Sequence, residues 1–269
     1  MAASDELRGR ARATWAAGDW ESCARLIAQA GELVIERAGI EPGVELLDVG
    51  TGSGGNVAIP AALRGAKVVG LDVTPELLEL ARGHAAEAGV EVAWIEGDAQ
   101  ALPFADASFD RVVSTFGAMF APDHAAAAAE LVRVCRSGGR VLMTTWVNDG
   151  FLGELFALTG AFMPPPPPGV QPPPLWGVEL HVREMFGAAG ASPSIARERV
   201  APEFASVEAV VQEYSRNFGP FVMARSVLEP QGRWDEFVAA FRALVRRFDA
   251  GDGGRARIES EYFLITVDR

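Results

Sequence analysis

The spacing of apolar residues changes character near residue 45. Before it, Trp15, Trp20, Cys23, Ile27, Leu33 and Val34 recur at mixed three- and four-residue steps with charges between them, which predicts helix through Met1 to Ile40. From Glu45 the apolar residues fall in short runs that end in Gly or Asp, each followed by a helical stretch, the alternation expected of a parallel α/β sheet. Five such units can be read, with strands at about Glu45 to Val49, Lys67 to Asp72, Glu91 to Glu96, Phe109 to Ser114 and Gly139 to Trp146. Their helices should start near Gly55, Thr74, Asp123 and Gly150. Thr74-Pro75-Glu76 offers an N-cap, a first-turn proline and an acid in order, Asp123 should cap the fourth helix, and Gly138-Gly139 should end it.

Met163 to Gly177 breaks this pattern, with eight prolines between Pro164 and Pro174. Such a stretch is stiff polyproline II, read here as a surface spacer or as a wall beside a substrate pocket. A helix near Val178 to Ala189 follows, and Ser194 to Val200 and Tyr262 to Val267 have the pattern of two last strands. The segment between those strands is helical, with Val207, Val210, Val211 and Tyr214 on one face and Phe237, Phe241 and Leu244 on another.

Composition narrows the function. The chain has 269 residues, 49% hydrophobic and 22% charged, enough for a large domain with a real core. Its net charge is −12 and no Lys/Arg cluster could follow a phosphate backbone, so nucleic acid is not an expected partner. Lys67 is the only lysine; the bias to arginine reads as GC-rich coding and a bacterial source. The start lacks a signal-like apolar region, and no apolar run reaches the roughly 18 to 20 residues of a membrane span, so a soluble cytoplasmic protein is expected. Cys23 and Cys135 lack the spacings of zinc sites or disulfide frameworks, which predicts reduced, buried thiols and no metal.

The chemistry concentrates after the first strand, in Leu46-Leu47-Asp48-Val49-Gly50-Thr51-Gly52-Ser53-Gly54-Gly55-Asn56. Glycines there permit positive φ and close approach of a ligand to the backbone. Gly50, Gly52 and Gly55 also fit G-x-G-x-x-G, so a nicotinamide or flavin enzyme has to be weighed. Asp48 argues against it: an acid at the end of a buried strand would repel a pyrophosphate and welcome an amino group. Asp72 ends the second strand, where a ribose diol could bond it; Asp98, after the third, could accept from an adenine amine while Ala99 leaves room for the ring.

LLDVGTGSGG, VVGLDVTPELLELAR, EGDAQALPFADASFD and LVRVCRSGGRVLMTTW, in this order, resemble the class I S-adenosylmethionine-dependent methyltransferases, nearest to the ubiquinone/menaquinone C-methyltransferase branch. The resemblance covers about Val44 to Trp146. It implies a Rossmann-like, doubly wound, seven-stranded, mostly parallel sheet with a helical cap. The parts are an N-terminal cap (1–43), a cofactor-binding core (44–150), a helix, Pro-rich loop and helix (151–190), and the last strands with a helical insertion (191–269). It also implies S-adenosylmethionine as cofactor, yielding S-adenosylhomocysteine. Asp48, Gly50, Ser53 and the turn glycines Gly52 and Gly54 would hold its methionine end, Asp72 the ribose, Asp98 and Ala99 the adenine, and Ser114 and Thr115 the amino-acid or sulfonium region, with Thr51 and Val73 also among the cofactor-binding residues. Two departures are Gly55-Asn56, which enriches the turn in glycine, and Ser137, where the family commonly has Pro.

Methyl transfer from a sulfonium needs alignment and exclusion of water, and for some acceptors a base within about 2.6 to 3.2 Å. His124, His181 and Tyr214 are the candidate bases, each with a competing structural reading; His84, in the middle of a helix, is not one. Trp15, Trp20, Phe116, Met119, Phe120 and Trp176, with Phe151, Phe156, Phe162, Phe218 and Phe221, belong to segments expected to overhang the carboxyl edge of the sheet. Together they favour a small apolar aromatic acceptor, methylated at O, C or N, with natural-product biosynthesis as the expected setting and a monomer or homodimer as the expected state. Quinone C-methylation is the alternative within the class; a non-catalytic cofactor-binding module and a nicotinamide oxidoreductase lie outside it.

Overall fold

The computed structural model of the chain describes residues 9, 12–167 and 169–269. The helix expected through Met1 to Ile40 begins outside those residues and is interrupted within them: a helical stretch at 12–16 ends before Gly18, and Ile27 separates α1 (Trp20–Leu26) from α2 (Ala28–Ala38). Asp19 starts α1 by accepting from the Ser22 N–H, which favours a new helix over continuation of the old one.

The strands are β1 (Glu45–Val49), β2 (Lys67–Asp72), β3 (Ala93–Glu96), β4 (Phe109–Thr115), β5 (Cys135–Trp146), β6 (Ser194–Val200), β7 (Glu203–Phe204), β8 (Ala256–Arg257) and β9 (Ser260–Asp268). Seven of them form one sheet in the order β3-β2-β1-β4-β5-β9-β6, and β7 pairs with β8 alone. β1 to β5 pair in parallel, and β9 runs antiparallel between β5 and β6. The expected seven-stranded, mostly parallel sheet is therefore observed. Leu46, Leu47, Val112, Val113, Leu142 and Met143 have no exposed surface, as befits central strands covered on both faces. The helices are α3 (Ala58–Leu63), α4 (Pro75–Ala88), α5 (His124–Val134), α6 (Phe151–Phe162), α7 (Glu179–Ala188), α8 (Val207–Asn217), α9 (Gly219–Leu228) and α10 (Trp234–Phe248). The strand order reverses between β1 and β4, which opens a crevice beyond their carboxyl ends.

Several local expectations change. α3 starts at Ala58 rather than near Gly55, because the glycine-rich turn stays irregular until then. α5 stops at Val134, and Gly138-Gly139 lie inside β5: Gly138 has φ +78°, and the β4–β5 register shifts between Phe109 and Arg111, so the pair makes a bulge instead of a helix stop. Asp123 does cap α5, through the Ala126 N–H. Thr74 stands at the N-cap of α4, but its side chain makes no capping bond. The β7–β8 ribbon lies within the stretch read as helical, at its two ends.

The Pro-rich segment is tied down at its far end. Gln171 donates its N–H to the Pro122 carbonyl and accepts from the His124 N–H, and Trp176, without exposed surface, packs its ring 5.0 Å from His124 and 6.1 Å from Phe186. Among the described residues no helix is long and apolar enough to cross a membrane.

Candidate active site

A cavity of about 310 Å³ opens at the strand-order reversal and is lined from both sides of the crevice. One half is polar and comes from the ends of β1, β2 and β3. Gly50 (φ +71°) and Thr51 both donate their N–H to the Leu71 carbonyl, which folds the first turn back over β2. A Cβ on Gly50 would lie 2.6 Å from Gly117 Cα, so the turns after β1 and β4 can cross only as glycines. Phe116, immediately before that crossing, is held at φ +56°, a costly conformation for an aromatic residue, with its N–H on Thr144 Oγ1.

Asp48 and Asp72 are both nearly inaccessible. Asp48 accepts from Thr51 Oγ1 at 2.7 Å, and burial, with the nearby Asp72 charge adding, pushes its carboxyl up to about 7. Asp72 accepts at 2.9 Å from the Gly52 N–H on one oxygen and from the Thr74 N–H on the other; burial raises its pKa and these backbone donors oppose the rise. Each Asp72 oxygen keeps a further lone pair for a ligand hydroxyl. Asp98 is oriented by the Gln100 N–H and side-chain amide, both at 2.9 Å, and Gln100 in turn accepts from the Asp123 N–H.

The other half is aromatic. Phe116 stacks on Trp146 at 3.8 Å and 8°, while Trp15, Trp20, Phe120, Phe156, Tyr214 and Phe218 approach from the cap. The Trp15 ring packs on Phe120 at 4.5 Å and Trp20 on Phe218 at 6.0 Å, and the Asp19 N–H donates to the Asn217 carbonyl, so the N-terminal helices and α8 meet over the mouth. On the opposite side His84 reaches the Ser53 carbonyl (3.2 Å) and Glu21 (2.6 Å), joining the glycine turn to α1.

The structure gathers around the cavity most of the residues singled out from the sequence: Asp48, Gly50, Thr51, Gly52, Ser53, Asp72, Val73, Asp98, Ala99, Thr115, Trp15, Trp20, Phe116, Phe120 and Tyr214. Others lie elsewhere. Ser114 spends its hydroxyl on the Val49 carbonyl and the Ala118 N–H, pinning β4 to β1. Gly54 faces Trp94, 2.5 Å from where a Cβ would stand. Met119 is fully buried core. Trp176, His124 and His181 form a separate cluster, with His124 Nδ1 2.9 Å from His181 Nε2. Burial, and then the His181 charge, lowers His124 to about 4, so it stays neutral, and neither histidine is among the residues that line the cavity. None of the described residues of the Pro-rich segment lines the cavity, against its reading as a wall. Phe151, Phe162 and Phe221 likewise lie off the lining; Phe151 and Phe221 pack fully buried, Phe162 on Phe237.

Residues the sequence reading passed over include Gln100, Gly117, Trp146 and Glu213. Cys23, expected in the core, is only partly buried, on the cavity wall, where burial raises its thiol to about 12.

Residues 47–143 match the methyltransferase domain family. The chain is 42% identical over 215 residues, 79% of its own length and 78% of the relative's, to the uncharacterized protein Rv1405c of Mycobacterium tuberculosis. It is 38% identical over 126 residues, 44% of its length and 57% of the relative's, to the demethylmenaquinone methyltransferase of Thermus thermophilus. Among solved structures, the YcgJ protein of Bacillus subtilis shares the fold with a TM-score of 0.58 at 19% identity, over 90% of this chain and 98% of that one. The chain belongs to the class I S-adenosylmethionine-dependent methyltransferases. It is an enzyme of that class, and S-adenosylmethionine is its cofactor.

The polar half fits that cofactor. Thr115 Oγ1 is a buried hydroxyl on the cavity wall without a partner, the glycine turn leaves its backbone approachable, and every charged residue of the described lining is an acid. Such a wall suits a ligand with a cationic amino group, a sulfonium and hydroxyl donors, and it disfavours a pyrophosphate, which sets the nicotinamide reading aside.

Proposed function

We propose that this enzyme methylates a small, apolar, aromatic acceptor at oxygen, carbon or nitrogen. The observation that carries this reading is the aromatic half-cavity, continuous with the acidic cofactor half and roofed by α1 and α8. In it Asp48 would hold the cofactor's amino group, Asp72 with Val73 its ribose, and Asp98 with Ala99 its adenine, while Gly50, Thr51, Gly52, Ser53 and Thr115 line the amino-acid end. When bound, the cofactor supplies an electrophilic methyl group on a positively charged sulfur. The chain's own part is to align and to keep dry: Phe116 on Trp146 gives a flat floor for a ring, and Trp15, Trp20 and Phe218 exclude water. Tyr214, raised in pKa by burial, keeps its proton and serves as wall, not base.

The test is transfer of a labelled methyl group to a panel of phenols, aromatic amines and electron-rich aromatic carbons, beside carboxylates and phosphates of similar size. Turnover confined to uncharged or cationic aromatic compounds is expected; turnover on anionic acceptors instead would contradict the proposal. The quinone reading is favoured by the similarity to a demethylmenaquinone methyltransferase, and it requires activity to depend on a long prenyl tail.

A further inference from the structure

The aromatic half of the cavity carries one charged side chain among its described residues. Glu213, on α8, stands on the wall beside Tyr214 and Phe218. Its Oε1 accepts from Asn217 Nδ2 at 2.9 Å, one helical turn on, which fixes the carboxylate's orientation. Among the described residues Oε2 has no hydrogen bond or ion pair. The nearby polar groups are committed or unsuited. The Cys23 thiol donates to the Asn217 carbonyl, and among the described residues no Lys, Arg or His lines the cavity. A carboxylate set in an apolar wall is costly unless a donor meets it. Among the described residues the chain supplies a donor to one oxygen only, and Oε2 is left open to a donor on the occupant of the cavity.

Resting on the aromatic-acceptor reading, we propose that Glu213 is a specificity-determining residue whose Oε2 accepts a hydrogen bond from an O–H or N–H group of the acceptor. The enzyme then selects phenols and amines over aromatic compounds without a donor, and over carboxylates, which Glu213 repels. The site's chemistry is thereby narrowed from apolar aromatic in general to an aromatic ring bearing a donor.

The probes are 2-naphthol, 2-naphthylmethylamine, 2-methoxynaphthalene and 2-naphthoate, with binding followed by tryptophan fluorescence with and without S-adenosylhomocysteine. The native protein should bind the two donors about tenfold more tightly than the methoxy compound, the usual worth of a hydrogen bond to a charged group, and naphthoate most weakly. In E213Q and E213L that preference should shrink to about twofold or less, largest in the cationic amine, while S-adenosylhomocysteine affinity and melting temperature stay as in the native protein. Retention of the tenfold preference in both variants, or its absence in the native protein, would overturn the proposal, as would failure of all four probes to bind. Failure to bind S-adenosylhomocysteine would instead strike the cofactor assignment, and the naphthyl preference is read independently of it.

Discussion

The two halves of the cavity are built on different plans. The polar half is made by backbone: strand ends deliver Asp48, Asp72 and Asp98 at one sheet edge, and the Gly50–Gly117 crossing and the amides on Asp72 fix their setting. The aromatic half is made by side chains, with Trp20, Phe116, Trp146, Phe156 and Phe218 converging from five separate segments. A backbone site admits few changes because each glycine answers a steric demand. A wall of packed rings can change shape one residue at a time, which suits a shared cofactor and a varied acceptor.

Four predictions sharpen this contrast. The largest concerns neither half. Trp176→Ala removes a fully buried ring that joins the Pro-rich segment to α5 and α7, and should cost about 3–5 kcal/mol in chemical denaturation with S-adenosylhomocysteine affinity of the folded protein unchanged. A loss of affinity there would return the segment to the site. Gly50→Val puts a β-branched side chain at φ +71° against Gly117, and should cost about 2–4 kcal/mol of stability and remove cofactor binding by calorimetry. The equivalent deletion in the aromatic half, Phe156→Ala, should leave cofactor affinity within about 0.5 kcal/mol of native.

The smallest is a pH effect. With Asp48 at about 7 in the free protein and a cationic amino group favouring its ionised form, cofactor affinity should rise about tenfold or less from pH 6 to pH 7.5. The linkage has the opposite sign for the free protein: the folded pKa lies above the ordinary 3.8, so Asp48 withdraws stability as pH climbs from about 4 to about 7. Asp48→Asn should flatten both profiles, and a binding profile unchanged by that substitution would remove Asp48 from the amino-group role.

The same contrast explains what could be read in advance. Asp48, Gly50 and Asp72 were legible because strand length and turn chemistry place them before any tertiary packing is known. Met119 and Trp176 were not, because an apolar residue near a strand end looks the same whether it faces a cavity or fills the core. The meeting of His124 with His181 depends on how α5 packs on α7, and the place of Glu213 on the cavity wall depends on α8 crossing the mouth, which the apolar face of that helix does not reveal.

The central claim is that the acids at the strand ends hold S-adenosylmethionine, and calorimetry of S-adenosylhomocysteine binding to native protein and Asp72→Ala, with NADH as control, tests it most directly. The account predicts micromolar binding by the native protein, a loss of about 1–3 kcal/mol in the variant at equal folded fraction, and no NADH binding. Native protein that binds no adenosyl ligand, or a variant that binds it equally well, would contradict it.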